Sequence, residues 1–120
     1  MKIKTNELTG AALDWAVAKC EGEEVSLIKG QLETLWTDNG YKPSTNWALG
    51  GPIVEREGIA IDCIRCDGEI DGWIAALPSF GEAKYEEPSP TPLIAAMRCY
   101  VASKLGDEVE IPEELTESKS

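Results

Sequence analysis

The sequence from Thr91 to Gly106, TPLIAAMRCYVASKLG, carries the strongest structural signal of the chain. It predicts one helix with both ends encoded: Pro92 gives up an N–H that has no intrahelical partner, Thr91 caps the exposed donors, and Gly106 tolerates a left-handed turn. Apolar side chains cover most of its circumference, and Arg98, Ser103 and Lys104 are its polar residues. We expect such a helix to be wedged between neighbours within the domain or packed on a second chain.

Length and charge exclude several classes of protein. A chain of 120 residues is long enough for one domain with its own core and too short for two ordinary ones. Its 22 acidic and 11 basic residues give a formal net charge of −11, which opposes direct binding to nucleic acid phosphates and to anionic membranes. No apolar run approaches the roughly 20 residues that span a bilayer.

The N-terminus and the cysteines indicate the compartment. Residues 1–5, MKIKT, do not continue into the apolar run and small-residue cleavage site of a secretory signal, so we expect a cytoplasmic protein. In that reducing compartment the four cysteines are expected to be free thiols. Cys20 and Cys99 lie inside predicted helices, where they serve as small apolar residues.

Local patterns divide the first half of the chain into a helix and a strand. Residues 9–22 predict a helix that Gly22 ends, with a core stripe of Leu13, Ala16, Val17 and Cys20. Residues 25–36 fit either a strand or a helix and are interpreted as a strand. Asp38-Asn39-Gly40 is a turn signal that ends this half.

The centre of the chain predicts a helix in two short pieces. Ser44 or Thr45 is expected to cap the first piece, which carries Trp47. The glycines and proline at positions 50–52 are expected to interrupt it, and a second piece ends at Gly58.

The second half predicts a hairpin, a loop and a tail around the decisive helix. Residues 59–77 are rich in β-branched residues on either side of Asp67-Gly68, which predicts an antiparallel hairpin. Residues 78–90 predict a loop, and residues 107–120 an acidic, partly mobile tail in which residues 109–111 dock on the body. The predicted fold is therefore a single α+β domain, residues 1–106, with a small, mainly antiparallel sheet covered by helices.

Two short motifs resemble metal sites. Cys63-x-x-Cys66 has the spacing of a zinc knuckle, but residues three apart on a strand point to opposite faces, and the chain has no histidine. Residues 67–72, DGEIDG, reproduce the first half of a calcium loop, but Pro78 stands where the bidentate glutamate belongs. We predict neither a metal site nor a cofactor.

The segment 41–56 is the candidate binding site. It combines polar caps, an aromatic ring and a flexible backbone, with free N–H groups that favour an anion and glycines that permit close approach. Each type also has an ordinary structural role as cap, core residue or helix breaker. The candidate ligand- or partner-binding residues are Tyr41, Ser44, Thr45, Asn46, Trp47, Gly50, Gly51, Pro52 and Arg56.

The sequence offers few groups that could take part in catalysis. The chain has no histidine to serve as a base at neutral pH, no glycine-rich phosphate loop and no nucleophile elbow. Nothing pairs two particular carboxylates at one site. We therefore predict that the protein is not an enzyme, and no catalytic residue is assigned.

Three unlike segments occur in a familiar order: ELTGAALDWAVA at 7–18, YKPSTNWALGGPI at 41–53 and PTPLIAAMRCYV at 90–101. Together they resemble the NinX-like family of small bacteriophage proteins. More loosely, the layout is similar to phage domains described as α-β-α sandwiches. The resemblance implies a phage or prophage origin and residence in the cytoplasm of a bacterial host, and it brings no established biochemical activity.

Three functional hypotheses remain open. The first is a non-enzymatic accessory protein that binds a host or phage protein, with Trp15, Trp47 and Tyr100 supplying an interface. The second is an acidic DNA mimic that occupies a host DNA-binding protein. The third is a small-molecule or anion binder, or an enzyme, at the 41–56 segment, which requires a deep pocket that Arg56 or Arg98 enters. Homo-oligomerisation is predicted as well.

Overall fold

Helix α3 (Pro92–Leu105) is the central element of the computed structural model, which describes residues 2–28, 31–33, 40–77 and 88–116. Its residues 93–102 are all buried. Thr91 Oγ1 accepts a hydrogen bond of 3.1 Å from the Ile94 amide. Gly106 has φ +92° with an extended ψ of −167°, a conformation that also favours glycine but differs from the expected left-handed turn. The predicted helix is confirmed at both ends.

Neighbours from the same chain cover α3. It contacts helix α1 (Gly10–Glu21), helix α2 (Trp47–Glu57) and both strands of a hairpin, β4 (Ala60–Cys66) and β5 (Glu69–Ala76). One continuous core results, and its largest fully buried members include Leu13, Val17, Met97, Tyr100 and Ile111. Of the two alternatives for the apolar helix, the structure shows packing within the domain.

The strands form three separate antiparallel ribbons in the described part of the chain, not the one small sheet that we expected. They pair β1 (Lys2–Lys4) with β6 (Glu108–Glu110), β2 (Ser26–Ile28) with β3 (Gln31–Glu33), and β4 with β5. The ribbons stay apart because they pack on different surfaces: β4 and β5 contact α3, whereas β3 contacts α1. The α+β class is confirmed.

The hairpin of residues 59–77 is confirmed. Asp67 (φ +54°) and Gly68 (φ +85°) form its two-residue turn, in which both residues have positive φ. Glu69 and Asp71 of the calcium-like motif lie in β5. Ser89 extends this ribbon through backbone hydrogen bonds of 2.9 and 2.8 Å with Trp73, which attaches the segment before α3 to the hairpin.

Helix α1 agrees with its prediction, because it ends at Glu21 and Gly22 adopts φ +73°. Within the range 25–36, where one strand is predicted, the described residues form two short strands, β2 and β3. Asp38 and Asn39 of the turn predicted at 38–40 and most of the loop predicted at 78–90 lie outside the described residues.

Helix α2 corrects the expectation of two short pieces, because it continues through Gly50, Gly51 and Pro52 to Glu57. A Cβ at Gly50 would collide with the Pro43 carbonyl oxygen and lie 2.7 Å from Leu93 Cδ1. Gly50 therefore permits close packing and does not break the helix. The carbonyl that Pro52 leaves without its helical donor belongs to Ala48, an exposed residue that water can reach.

Residues that follow Gly106 also pack on the body of the protein. Val109 and Ile111 are buried, which confirms their predicted docking, and Leu115 of helix α4 (Glu113–Thr116) is buried as well. Thr5 joins the end of α3 through two bonds: its amide donates to the Asp107 carbonyl at 2.7 Å and its Oγ1 to the Gly106 carbonyl at 2.6 Å. Residues 107–116 thus belong to the folded body.

Candidate functional site

A cleft of about 300 Å³ opens beside the start of α1 and the segment that precedes α2. Ala11, Leu32 and Tyr41 give it apolar walls, and Asp14 and Lys42 give it charged groups. Such a mixture suits a ligand with an apolar body and a polar end. The lining residues are Gly10, Ala11, Asp14, Leu32, Tyr41, Lys42 and Thr45.

Asp14 lies on the inner wall of this cleft, with 4% of its surface exposed. Its Oδ1 accepts a hydrogen bond of 2.8 Å from the Ser44 amide, so the 41–45 segment is held against α1. Burial raises the pKa of Asp14 to about 6, and hydrogen bonding by Ser44 and the charge of Lys42 offset only part of that effect. The carboxyl group therefore changes its charge just below neutral pH.

An exposed tryptophan stands beside the cleft. Asn46 caps α2, because its Oδ1 accepts a hydrogen bond of 2.9 Å from the Ala48 amide, and Trp47 in the first turn is 52% exposed. We call the exposed residues around it the Trp47 surface: Lys42, Thr45, Asn46, Trp47 and Ala48. Lys42 and Thr45 also line the cleft, so the surface and the cleft are continuous.

A second cleft, of about 320 Å³, follows the other end of α1. Trp15 contributes to it and is partly buried, with the Nζ of Lys19 5.3 Å from the centre of its ring. This cation covers a face of the indole that a partner would otherwise reach. The lining residues are Trp15, Lys19, Glu23, Glu24, Val25 and Ser26.

The chain also matches a known protein family. The model of the family described as Bacteriophage P22, NinX matches residues 4–104. The chain belongs to this NinX family. The search of the curated proteins found no match for the chain.

The NinX family match spans all of the residues that line both clefts and all of the Trp47 surface. Of the predicted binding residues, Tyr41 and Thr45 line the first cleft, and Asn46 and Trp47 lie on the adjoining surface. Ser44 is fully buried, Gly50 packs against α3, and Gly51 lies under the Trp47 ring. Pro52 is exposed further along α2. The structure therefore places the first part of the predicted segment in and beside the first cleft.

Arg56 does not reach the first cleft. It forms a two-pronged ion pair with Glu21 at 3.1 and 2.6 Å and a second ion pair with Glu57 at 2.8 Å. The Tyr100 hydroxyl donates a hydrogen bond to the same Glu21 carboxylate. Burial of Glu21 opposes its ionisation, but the hydrogen bonds from Arg56 and Tyr100 outweigh that effect and lower its pKa. Arg56 of α2 is thus linked to Glu21 of α1 and Tyr100 of α3.

Two further residues differ from their expected roles. Tyr100 is 2% exposed, so its ring belongs to the core and does not offer a surface to a partner. Arg98 is 8% exposed: its Nε donates to the Leu8 carbonyl at 2.8 Å and its Nη1 to Ser89 Oγ at 3.0 Å. Burial lowers the pKa of Arg98. Arg98 does not line the first cleft, and neither does Arg56, so the cleft lacks both arginines that the anion-binding hypothesis requires.

The cysteines lie apart from both clefts. Cys20, Cys63, Cys66 and Cys99 form no disulfide, and burial raises the pKa of Cys20 to about 12, which disfavours its reactive thiolate form. Among the described residues, no cluster of histidine, cysteine or acidic side chains is arranged to hold a metal ion.

Sequence reasoning missed Asp14, the most informative residue of the site. The signal was present: Asp14 interrupts the apolar run of α1, and no lysine or arginine stands three or four residues from it on the helix. A carboxylate in that position has no local counter-charge, and it therefore needs a partner from elsewhere.

No helix in the described part of the chain has the length and apolarity to cross a bilayer.

Proposed function

We propose that this phage protein acts without catalysis in the bacterial cytoplasm, by binding a host or phage protein at the Trp47 surface and the adjoining cleft. The observation that carries the proposal is the 52% exposure of Trp47 next to a cleft of about 300 Å³. Tryptophan is among the residues that dominate binding energy at interfaces, where a large ring enters or borders a pocket.

The helix start explains why this ring is exposed. Trp47 follows directly on the Asn46 cap, so its backbone is fixed by the first turn of α2, and a Cβ at Gly51 would lie 3.8 Å from its Cε3. A ring held on a rigid helix loses little conformational freedom on binding. This preorganisation favours a docking role over an accidental exposure.

DNA mimicry has less support at the β1–β6 ribbon, where lysines face part of the acidic charge. Six of the 22 acidic residues follow Gly106, and two of these, Glu108 and Glu110, stand opposite Lys4 and Lys2 across the β1–β6 ribbon. Opposite charges on facing strand positions attract each other, which reduces the field that a DNA-binding protein would meet there.

Anion binding through the two candidate arginines also has less support. That hypothesis requires Arg56 or Arg98 to enter a deep pocket. Arg56 is occupied by Glu21 and Glu57, and Arg98 by Leu8 and Ser89. The titratable groups that line the first cleft are Asp14, Tyr41 and Lys42, and burial of Tyr41 raises its pKa.

The test is capture of a partner from the lysate of phage-infected host cells with three immobilised proteins: wild type, Trp47→Ala and Ile70→Ala. Ile70 is the matched control, because it is 48% exposed and lies on the hairpin away from the site. We expect one protein to be retained by wild type and Ile70→Ala and lost from Trp47→Ala. Equal capture by all three, or no reproducible partner, contradicts the proposal.

Two further readouts separate the alternatives. If the captured protein is displaced by double-stranded DNA, the mimicry hypothesis replaces the proposal. Light scattering at two protein concentrations tests the predicted homo-oligomer, and an assembly that Trp47→Ala dissolves would mean that the Trp47 surface contacts a second copy of the chain.

A further inference from the structure

We propose that the cleft receives a lysine or arginine side chain of the protein partner, with its cationic end against the Asp14 carboxylate. The inference rests on the proposed function, because it names the chemistry of the group that enters beside Trp47. Three observations carry it: the shape of the cleft, the state of Asp14 within it, and the charge of the whole protein.

The dimensions and walls of the cleft fit such a side chain. Its volume of about 300 Å³ is large compared with the ~30 Å³ that a water molecule occupies in the liquid. Ala11, Leu32 and Tyr41 offer apolar contact to the methylene groups of a basic side chain, which commonly lie along apolar surface while the charged end stays polar.

Asp14 supplies the acceptor. The Ser44 amide occupies one site on Oδ1, and a carboxylate has room for several further donors. Lysine and arginine carry donors only, so their hydrogen bonds to a carboxylate are charge-assisted. Among residues 2–28, 31–33, 40–77 and 88–116, no lysine or arginine forms an ion pair with Asp14.

The charges around Asp14 set the direction of the preference. Lys42 at the cleft is exposed and acts on Asp14 only weakly, whereas Tyr41 beside it is subject to the negative charges of Glu21, Glu23 and Asp14. A net charge of −11 also attracts a basic partner over a longer range and accelerates its approach.

Binding is therefore coupled to the protonation of Asp14. A cation binds to the carboxylate form, so its affinity rises as Asp14 loses its proton, and Tyr41, whose pKa burial raises, stays neutral through that range. Asp14 is buried without a counter-charge among the described residues, and this burial raises its pKa. A cation from the partner supplies that counter-charge.

The experiment uses N-acetyl-arginine amide as the probe and follows the amide NMR signals of the full chain. We expect shifts confined to Gly10, Ala11, Ser44 and Thr45, and none with the uncharged N-acetyl-citrulline amide. Asp14→Asn should weaken the binding about tenfold or more, as should lowering the pH to about 4.5. Asp71→Asn, an exposed carboxyl on β5, is the control that should bind like wild type.

Lys42→Gln provides a second variant that keeps the fold, because Lys42 is exposed. It removes a like charge from the cleft and should tighten binding of the probe. Equal binding by Asp14→Asn and wild type, no shift at any probe concentration, or the same shifts with magnesium chloride at equal ionic strength would overturn the inference.

The same variants separate this inference from the proposed function. If Asp14→Asn still captures the partner that Trp47→Ala loses, the docking surface stands and the basic side chain does not enter the cleft. If the probe binds at Asp14 but capture does not depend on Trp47, the cation site stands and the proposed docking surface is wrong.

Discussion

Asp14 is a carboxyl group that the fold has taken out of water without an arginine or lysine partner among the described residues. Such a group destabilises the native state whenever it is ionised. Proteins commonly retain unfavourable groups of this kind at functional sites. Its effect on stability can be separated from its role in binding by following the free energy of unfolding against pH.

Asp14→Asn is expected to stabilise the protein at neutral pH. The folded-state pKa of about 6 lies above the ordinary value of 3.8, so the favourable contribution of the neutral carboxyl is present below about pH 4 and lost as the pH rises through about 6. A shift of this size corresponds to about 3 kcal/mol at pH ~7.5. Asparagine stays neutral and keeps an acceptor for the Ser44 amide.

Urea unfolding of wild type and Asp14→Asn across this pH range measures the effect. The difference should grow from near zero at about pH 4 to ~3 kcal/mol in favour of the variant at about pH 7.5. A difference that does not vary with pH would mean that Asp14 is ionised in the folded protein as easily as in the unfolded chain.

Arg98 is the opposite case, a buried cation that the fold uses as a hydrogen-bond donor. Arg98→Met removes the donors to the Leu8 carbonyl and to Ser89 Oγ and leaves both acceptors buried. We expect a loss of about 2–3 kcal/mol in the free energy of unfolding. Arg65→Met, which removes an exposed arginine with one bond of 3.3 Å to Gly68, should change it by less than about 0.5 kcal/mol. Equal effects of the two substitutions would contradict the packing role of Arg98.

At the scale of elements, the two adjacent glycines of α2 have different reasons to be glycine. Gly50→Ala places a methyl group against the Pro43 carbonyl and Leu93, and overpacking of this kind costs about 1–3 kcal/mol. Gly51→Ala meets only an ordinary contact of 3.8 Å with Trp47 Cε3, and alanine is the better helix former by about 1 kcal/mol.

Thermal unfolding of the two variants tests this difference. We expect a lower Tm for Gly50→Ala and an equal or higher Tm for Gly51→Ala. A lower Tm for both would mean that the pair acts as a flexible break, as the sequence alone indicates.

This helix also shows where prediction from sequence ends. The ends of α1 and α3 are local features, in which a cap, a proline and a glycine act within a few residues, and both helices were predicted correctly. The reason for Gly50 lies in Pro43 and Leu93, which no local pattern reveals. The joining of α2 into one helix therefore could not be predicted.

The candidate site divides in the same way. Polar caps and an aromatic ring lie together in residues 44–47, and their pattern indicates a site, although the residue that caps α2 is Asn46 and not Ser44 or Thr45. Asp14 and Leu32 join them only because α1 and β3 fold against the segment before α2. Contacts between such distant residues depend on the tertiary fold, so the cleft could not be predicted from spacing.

At the scale of the whole molecule, a strand near the N-terminus pairs with a strand near the C-terminus. The β1–β6 ribbon pairs Lys2 with Glu110 and Lys4 with Glu108, so the acidic residues after α3 have a structural role besides solubility. Their composition alone indicated a mobile tail. The buried residues that alternate with them, Val109 and Ile111, explain why residues 108–111 fold onto the body instead.

A chain that ends at Gly106 is therefore expected to lose most of its stability. Truncation there removes the partner strand of β1 and the buried side chains of Val109, Ile111 and Leu115, each of which contributes about 1.5–3 kcal/mol. Their sum is comparable with the 5–15 kcal/mol of a typical domain. A chain that ends at Thr116 keeps every contact described above and serves as the control. Urea unfolding should give a near-native midpoint for the chain that ends at Thr116. The chain that ends at Gly106 should show little or no cooperative transition. Equal midpoints for the two chains would place the domain boundary at residue 106.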